Sequence, residues 1–358
     1  MTDIDYKGVT KFFERSLNTL PKPYQSGLSN HLSLTYFTVS GLDLLKRQDI
    51  IEKEKQNIID FIYSRQILPS KTNPDVNREY CGFRGANFVG QPYCVNKSHF
   101  SVDGETPSTY DFPNLANTYC ALMILRIAGD DFSSVNKKAI IDALKCRSQE
   151  NGSFNSAPKS TESDVRFIFM ACAISYMLND WSAVDIEKTT QFIMDSLSYE
   201  FAFGQSPEQE AHGGSTYCAV NSLALMKKLH LILPFKDKFI RWLVNKQITG
   251  FCGRTNKDPD TCYSFWIGAS LDAISSFNLI DFNLMKMFIQ SAQHQVIGGI
   301  AKEPSNLPDI LHTYMSLSAL AIGGDENLMP LNPVLGITQR AAGKEWNDDL
   351  LNQLLKNE

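Results

Sequence analysis

One punctuation mark recurs along this chain: a glutamine closing a helix-like stretch, followed within a few positions by glycine or a large apolar residue. It stands as Gln149-Glu150-Asn151-Gly152-Ser153-Phe154, as Gln247-Ile248-Thr249-Gly250-Phe251 and as Gln293-His294-Gln295-Val296-Ile297-Gly298-Gly299. A looser copy runs Tyr199-Glu200-Phe201-Ala202-Phe203-Gly204. The implied spacing of about 50 residues is that of helical-hairpin repeats, in which one unit cannot bury its apolar face alone and must stack on others. Glycine ends such helices because the left-handed conformation costs it no Cβ clash.

The helices between these turns alternate in character. Residues 114–128, 164–177, 215–226, 262–276 and 312–322 are apolar or small nearly all round, which marks helices buried on both faces. Their partners carry one apolar stripe and a charged back: 136–145 with Ile140, Ile141 and Leu144, and 236–246 with Phe239, Trp242 and Leu243. An inner ring inside an outer ring is an all-α, α/α toroid, and a single such domain over 1–358 is the expectation. No alternating β run of useful length appears, and 69–113 reads as the one long loop-like insertion. Functional residues of such a ring belong on the turns that open its inner helices.

Composition narrows the setting. A formal net charge of −5 argues against a nucleic-acid surface. The first residues, Met1-Thr2-Asp3-Ile4-Asp5, lack a basic and apolar leader, and no run approaches the roughly 18 apolar residues of a membrane span. The expectation is a cytoplasmic protein without membrane insertion. The eight cysteines are scattered without a CxxC pair and read as reduced thiols, mostly core.

Against that background, Asp260-Thr261-Cys262 opens one inner helix and His312 lies near the start of the next. Carboxylate, thiolate and imidazole make three Zn²⁺ ligands, which leave a fourth position free for substrate as in catalytic sites. A Cys and a His on apolar helices are more often plain core, but Arg254 and Lys257 in the adjoining turn add unexplained positive charge.

These strings, over a span from Phe12-Phe13-Glu14-Arg15 to Asn332-Pro333, resemble the β subunits of protein prenyltransferases. The resemblance implies that Asp260, Cys262 and His312 hold Zn²⁺, whose fourth partner is the thiolate of a protein substrate. Asp309, three residues before His312, is a helix cap or an orienter of the imidazole. The resemblance places His212, Arg254, Lys257 and Tyr263 on the diphosphate of an isoprenoid donor, where charge builds as the leaving group departs.

Within that family, Tyr80-Cys81-Gly82-Phe83-Arg84-Gly85 and Glu162-Ser163-Asp164-Val165-Arg166-Phe167 are similar to the type I geranylgeranyl branch. Ser33 stands where farnesyl enzymes carry a Trp that blocks the lipid tunnel, which implies room for a fourth isoprene unit. Lys302 stands where farnesyl enzymes carry an Asp that helps hold Mg²⁺, so Zn²⁺ without a Mg²⁺ requirement is expected, with the ammonium taking the metal's place. Phe167, Phe169, Gly214, Cys218 and Trp266 are implied tunnel residues, and Arg166 lies near the substrate's C-terminus. Ser33, Asn114, Ala116, Phe167, Leu311 and Met315 are the implied pocket for the last substrate residue. Asn114 replaces the usual His there, and Met315 an aromatic.

The implied activity is transfer of a geranylgeranyl group from geranylgeranyl diphosphate to the Cys of a C-terminal CaaX motif, X being Leu or Phe, in substrates such as small GTPases. The implied partner is a helical α subunit in an obligate heterodimer. A farnesyltransferase β subunit is disfavoured by Ser33 and Lys302, and a Rab-type enzyme by the type I strings. A triterpene cyclase needs a D-x-D-D acid motif, which is absent. A non-enzymatic helical-repeat scaffold would have no reason to bind zinc.

Overall fold

The computed structural model describes residues 3–70, 73–75, 77–85 and 113–351. Most of the 69–113 insertion, with Cys94, lies outside the described residues. In chain order the helices are α1 (Tyr6–Asn18), α2 (His31–Leu44), α3 (Gln48–Tyr63), α4 (Leu115–Ile127), α5 (Lys137–Arg147), α6 (Val165–Leu178) and α7 (Ile186–Asp195). There follow α8 (Gly213–Leu225), α9 (Lys236–Val244), α10 (Thr261–Asp272), α11 (Phe282–Ser291), α12 (Ile310–Ile322) and α13 (Gln339–Leu351).

Even-numbered helices from α2 to α12 pack each on the next, and α12 packs back on α2, so among the described residues six inner helices close a ring. Their all-round apolarity follows from that position. Ile174, Val220, Ile267 and Leu317 are wholly buried although they sit on helices with no dominant apolar stripe. Odd-numbered helices through α11 form the outer layer. Their stripes face inward, as with Phe239 and Leu243 of α9, both fully buried.

The recurring glutamine has a physical task that concerns neighbouring units. Gln247 at the end of α9 donates to Asp281 O at 2.7 Å and accepts from Asp281 N at 2.9 Å. Gln293 makes the same pair with Asp5, at 3.0 and 2.9 Å. Asp281 and Asp5 are the N-cap residues of α11 and α1, so each side-chain amide clamps the start of the next outer helix, and Gln293 joins the last unit to the first. Gln149 does not share this role; its amide bonds to the nearby Arg147 O.

Five of the six inner helices begin with a side-chain cap: Asn114, Asp164, His212, Asp260 and Asp309. A cap satisfies N–H groups that the first turn leaves without partners. The motif residues are therefore gathered at one end of the ring. The opposite end is closed by a hairpin of β3 (Leu331–Asn332) and β4 (Ile337–Thr338), following the earlier pair β1 (Gln66–Ile67) and β2 (Gly82–Phe83). Fully buried Asp43 of α2 anchors it through Arg340 at 2.8 Å and through the Thr338 hydroxyl. Among the described residues no helix is long and apolar enough to cross a membrane.

Near that closed end, Asp272 occupies the last turn of α10 and borders a cavity with Asn332 and Asn347. Burial raises its carboxyl to about 6, and the negative end of the helix dipole is also unfavourable to an anion. A raised acid pKa penalises the fold once the unfolded chain ionises, so the cost grows from about pH 4 to about pH 6 and then levels. Asp272→Asn is therefore expected to stabilise the protein at pH 7 by on the order of 1–3 kcal/mol. Paired denaturant titrations check this: the gain should vanish below about pH 4, where both side chains are neutral, and an equal gain at all pH values would refute it.

Candidate metal centre and apolar tunnel

Asp260 is the N-cap of α10, and its Oδ1 accepts the Cys262 N–H at 2.9 Å. That short-range bond folds the Asp-x-Cys segment so that carboxylate and thiol share the mouth of the ring. His312, in the first turn of α12, brings Nε2 to 3.3 Å from Asp260 Oδ1. Ligand atoms of Asp260, Cys262 and His312 all lie within 4.8 Å of one another. Asp309 plays both roles that the sequence leaves open: Oδ1 caps the helix at His312 N (2.9 Å), and Oδ2 holds His312 Nδ1 at 2.6 Å. This fixes the imidazole with Nε2 towards Asp260, the carboxylate–histidine arrangement that orients metal ligands.

Electrostatics favour a cation at this point. Burial disfavours a charged imidazole, yet Asp260 and Asp309 outweigh it and lift His312 to about 9. Burial, with Asp260 next to it, pushes the Cys262 thiol well up. Burial also acts to raise Asp260, but hydrogen bonds from His312 and Cys262 hold it below its ordinary value. A carboxylate, a thiol and an oriented imidazole are the mixed O, S and N donors that suit a tetrahedral divalent ion, zinc above all.

Beside this cluster lies the second group. His212 caps α8: Nδ1 accepts the N–H groups of Gly214 (3.1 Å) and Ser215 (3.4 Å), and Nε2 meets Tyr263 Oη at 2.9 Å. With Nδ1 accepting, the ring proton sits on Nε2 and donates to the phenol, which leaves the phenolic proton for an incoming anion. Burial, then Arg254, lowers the His212 pKa, so His212 serves as a neutral organiser of Tyr263. Gly253 makes this geometry possible, since a Cβ there would lie 2.1 Å from the Tyr263 ring.

Arg254 and Lys257 are exposed at the rim. Arg254 pairs with Glu210 at 3.1 Å, a partner that the sequence did not suggest. Buried Lys246 donates to Thr255 Oγ1 at 3.0 Å, and Thr255 donates to Glu200 at 3.2 Å, so the turn is tethered from beneath. Lys302 is exposed too, and its backbone carbonyl accepts Thr261 N at 2.9 Å, which sets it beside the start of α10.

From the mouth a cavity of about 380 Å³ descends into the ring. Its wall includes Ser33, Ala116, Phe169, Gly214, Cys218 and Trp266, together with Leu311, Met315, His212 and Arg166. Burial pushes the Cys120 and Cys218 thiols in this wall to about 12, so they stay neutral. Two expected pocket residues are not in the wall. Asn114 spends its side chain capping α4 at Asn117 N (2.7 Å), and Phe167 is buried beneath the Arg166 guanidinium, 5.2 Å from its ring centre. Asp164 and Glu162 hold Arg166 at 2.7 and 2.8 Å.

Residues 4–337 match the prenyltransferase alpha-alpha toroid domain. The chain is 58% identical to the geranylgeranyl transferase type-1 subunit beta of Dictyostelium discoideum, over 97% of this chain and 99% of that protein. It is 35% identical to the Arabidopsis thaliana type-1 β subunit, over 92% and 88% of the two chains. A solved structure of Candida albicans protein geranylgeranyltransferase-I complexed with GGPP superposes with a TM-score of 0.81 at 26% identity, covering 99% of this chain and 100% of that one. The motifs that cap the inner helices and the ring that holds them thus lead to one conclusion: the chain belongs to the prenyltransferase alpha-alpha toroid family, among the type-1 geranylgeranyltransferase β subunits.

Proposed function

We propose that this chain is the catalytic subunit of a zinc-dependent enzyme that moves a geranylgeranyl group from its diphosphate to the Cys of a C-terminal CaaX motif. The observation that carries this reading is the junction of an Asp260–Cys262–His312 donor set with the open mouth of an apolar cavity. When bound there, zinc supplies a Lewis acid that keeps a substrate thiol as thiolate at neutral pH. Asp260, Cys262 and His312 hold it, and Asp309 orients His312. Tyr263, organised by His212, presents its phenolic proton to the diphosphate, and Arg254 and Lys257 neutralise charge on the departing group. Because that charge peaks as the C1–O bond breaks, such donors stabilise the transition state above the ground state.

Lys302, exposed beside α10, supplies a fixed ammonium where a Mg²⁺ ion would otherwise be needed, so transfer requires no added Mg²⁺. Leu311 and Met315 contribute to the wall that the terminal Leu or Phe of the substrate meets. Small GTPases carrying such a terminus are the substrate class. A helical α subunit completes the enzyme, in keeping with the description of both relatives as β subunits.

Lipid choice tests the reading. The co-expressed heterodimer should transfer the C20 lipid in preference to C15, in the presence of chelator-free buffer without Mg²⁺. Ser33 lines the cavity one turn above Tyr36 and lies 3.7 Å from Cys120 Sγ. Ser33→Trp fills that level and should shift the C20:C15 single-turnover ratio towards C15 by about tenfold or more, since overpacking a shaped apolar site costs roughly 1–3 kcal/mol. An unchanged ratio in a folded, zinc-loaded variant would overturn the assignment of lipid length to this wall.

A further inference from the structure

At the end of the ring opposite the metal donors lies the cavity that Asp272 borders, of about 280 Å³. Asp272 is the last residue of α10, and Ala321 and Ile322, also in the wall, are the last two of α12. The negative ends of two helix dipoles therefore meet a carboxylate at one cavity, an arrangement that favours a cation. The chain supplies none there. No Lys, Arg or His borders the cavity among the described residues. Arg340, beside Gln339, is committed to Asp43 at 2.8 Å and to Ile127 O at 3.1 Å, and Lys227 to Asp349 at 3.0 Å.

The polar groups of the rim are engaged with one another. Asn332 Nδ2 donates to Asn347 Oδ1 at 2.9 Å, Asn347 Nδ2 donates to Gln339 O at 2.8 Å, and Asn332 Oδ1 accepts the Leu335 N–H at 3.1 Å. These bonds fix the shape of the rim, and none of them reaches Asp272, whose carboxylate has no hydrogen-bond or ion-pair partner among the described residues. Burial alone raises this carboxyl to about 6, so at neutral pH an anion stays in place with nothing to balance it. Buried polar groups without a partner are exceptional, and a charged one is the more costly.

The rest of the wall is aliphatic, from Ala321 and Ile322 to Pro333, Val334 and Leu350. That combination narrows the ligand. A hard metal ion asks for several oxygen ligands or keeps its water, and one carboxylate among aliphatic walls does not meet that demand. An alkyl chain ending in an ammonium suits both parts: its carbons lie along apolar surface, as lysine stems do, and its N–H groups donate to the carboxylate. We propose that this cavity binds a primary alkylammonium, the head of a short aliphatic amine, with Asp272 as its counter-ion and the 333–334 turn and the end of α12 as the wall for its chain. The site shares no residue with the metal centre or the apolar tunnel, so it rests on none of the transfer chemistry.

The test titrates n-butylammonium chloride into the α/β heterodimer near neutral pH and reads binding by isothermal titration calorimetry. Saturable binding is expected, while n-butanol, the neutral analogue, and potassium chloride at equal ionic strength should give no matching signal. Asp272→Asn should weaken binding by about tenfold or more, the usual scale for a hydrogen bond to a charged group. Loss of folding does not confuse this result, because Asp272→Asn is expected to be the more stable protein. Asp272→Glu keeps the charge and should bind the amine more tightly than Asp272→Asn does. The proposal falls if n-butylammonium fails to bind, if n-butanol or potassium binds as tightly, if Asp272→Asn binds it as wild type does, or if Asp272→Glu is no better than Asp272→Asn.

Discussion

Cys262→Ala and His312→Ala heterodimers should each contain far less than one zinc per complex and transfer no measurable lipid, while binding the lipid diphosphate with nearly wild-type affinity. The separation follows from geometry. The three donors cluster at the mouth, with their ligand atoms within 4.8 Å, whereas the lipid wall is made by other residues. Asp309→Asn should act more gently. It removes the carboxylate 2.6 Å from His312 Nδ1 but no ligand, and loss of such an outer partner typically weakens metal affinity by about 10–100-fold. Metal content by atomic emission, donor binding and single-turnover rate separate these effects. A metal-free wild-type preparation with full activity would refute the zinc reading outright.

The fold was legible because burial on two faces leaves a plain mark: helices such as α6 and α12 have almost no polar side, and only an inner ring asks for that. The glutamine turns were visible, but their purpose was not. Gln293 bonds to Asp5, 288 residues away, and no local pattern reveals a partner in another unit. Asp260 and Asp309 show why bland and functional interpretations of one residue need not compete, since each carboxylate caps a helix and also faces His312. Phe167 does not border the cavity and Arg166 does, because one step along a helix turns a side chain by about 100°. Tyr119 and Tyr217 border the cavity, yet an aromatic on a buried helix reads as core until its neighbours in space are known.

Arg254→Ala and Lys257→Ala should each slow single-turnover transfer by roughly a hundredfold or more, the usual cost of losing one donor to developing negative charge. Indirect effects are too small to mimic this. The Arg254–Glu210 pair at 3.1 Å is about half exposed on both sides, and surface pairs of that kind contribute only about 0–1 kcal/mol. Breaking it therefore leaves the fold nearly as stable, and Lys246 and Thr255 still hold the turn from beneath. For the same reason Arg254 is readily surrendered by Glu210 to a diphosphate, whose charge-assisted, bidentate contacts are stronger. Tyr263→Phe should give a smaller loss than either, because His212 Nε2 remains nearby as a neutral donor once the phenol is gone. Zinc content should stay at the wild-type level in all three variants, since none of them removes a metal donor and the backbone bond from Tyr263 N to Asp260 O survives a change of side chain. If Arg254→Ala and Lys257→Ala both left the single-turnover rate and donor affinity unchanged, the leaving group would have to sit away from this rim, and the arrangement of His212 and Tyr263 would need a different explanation.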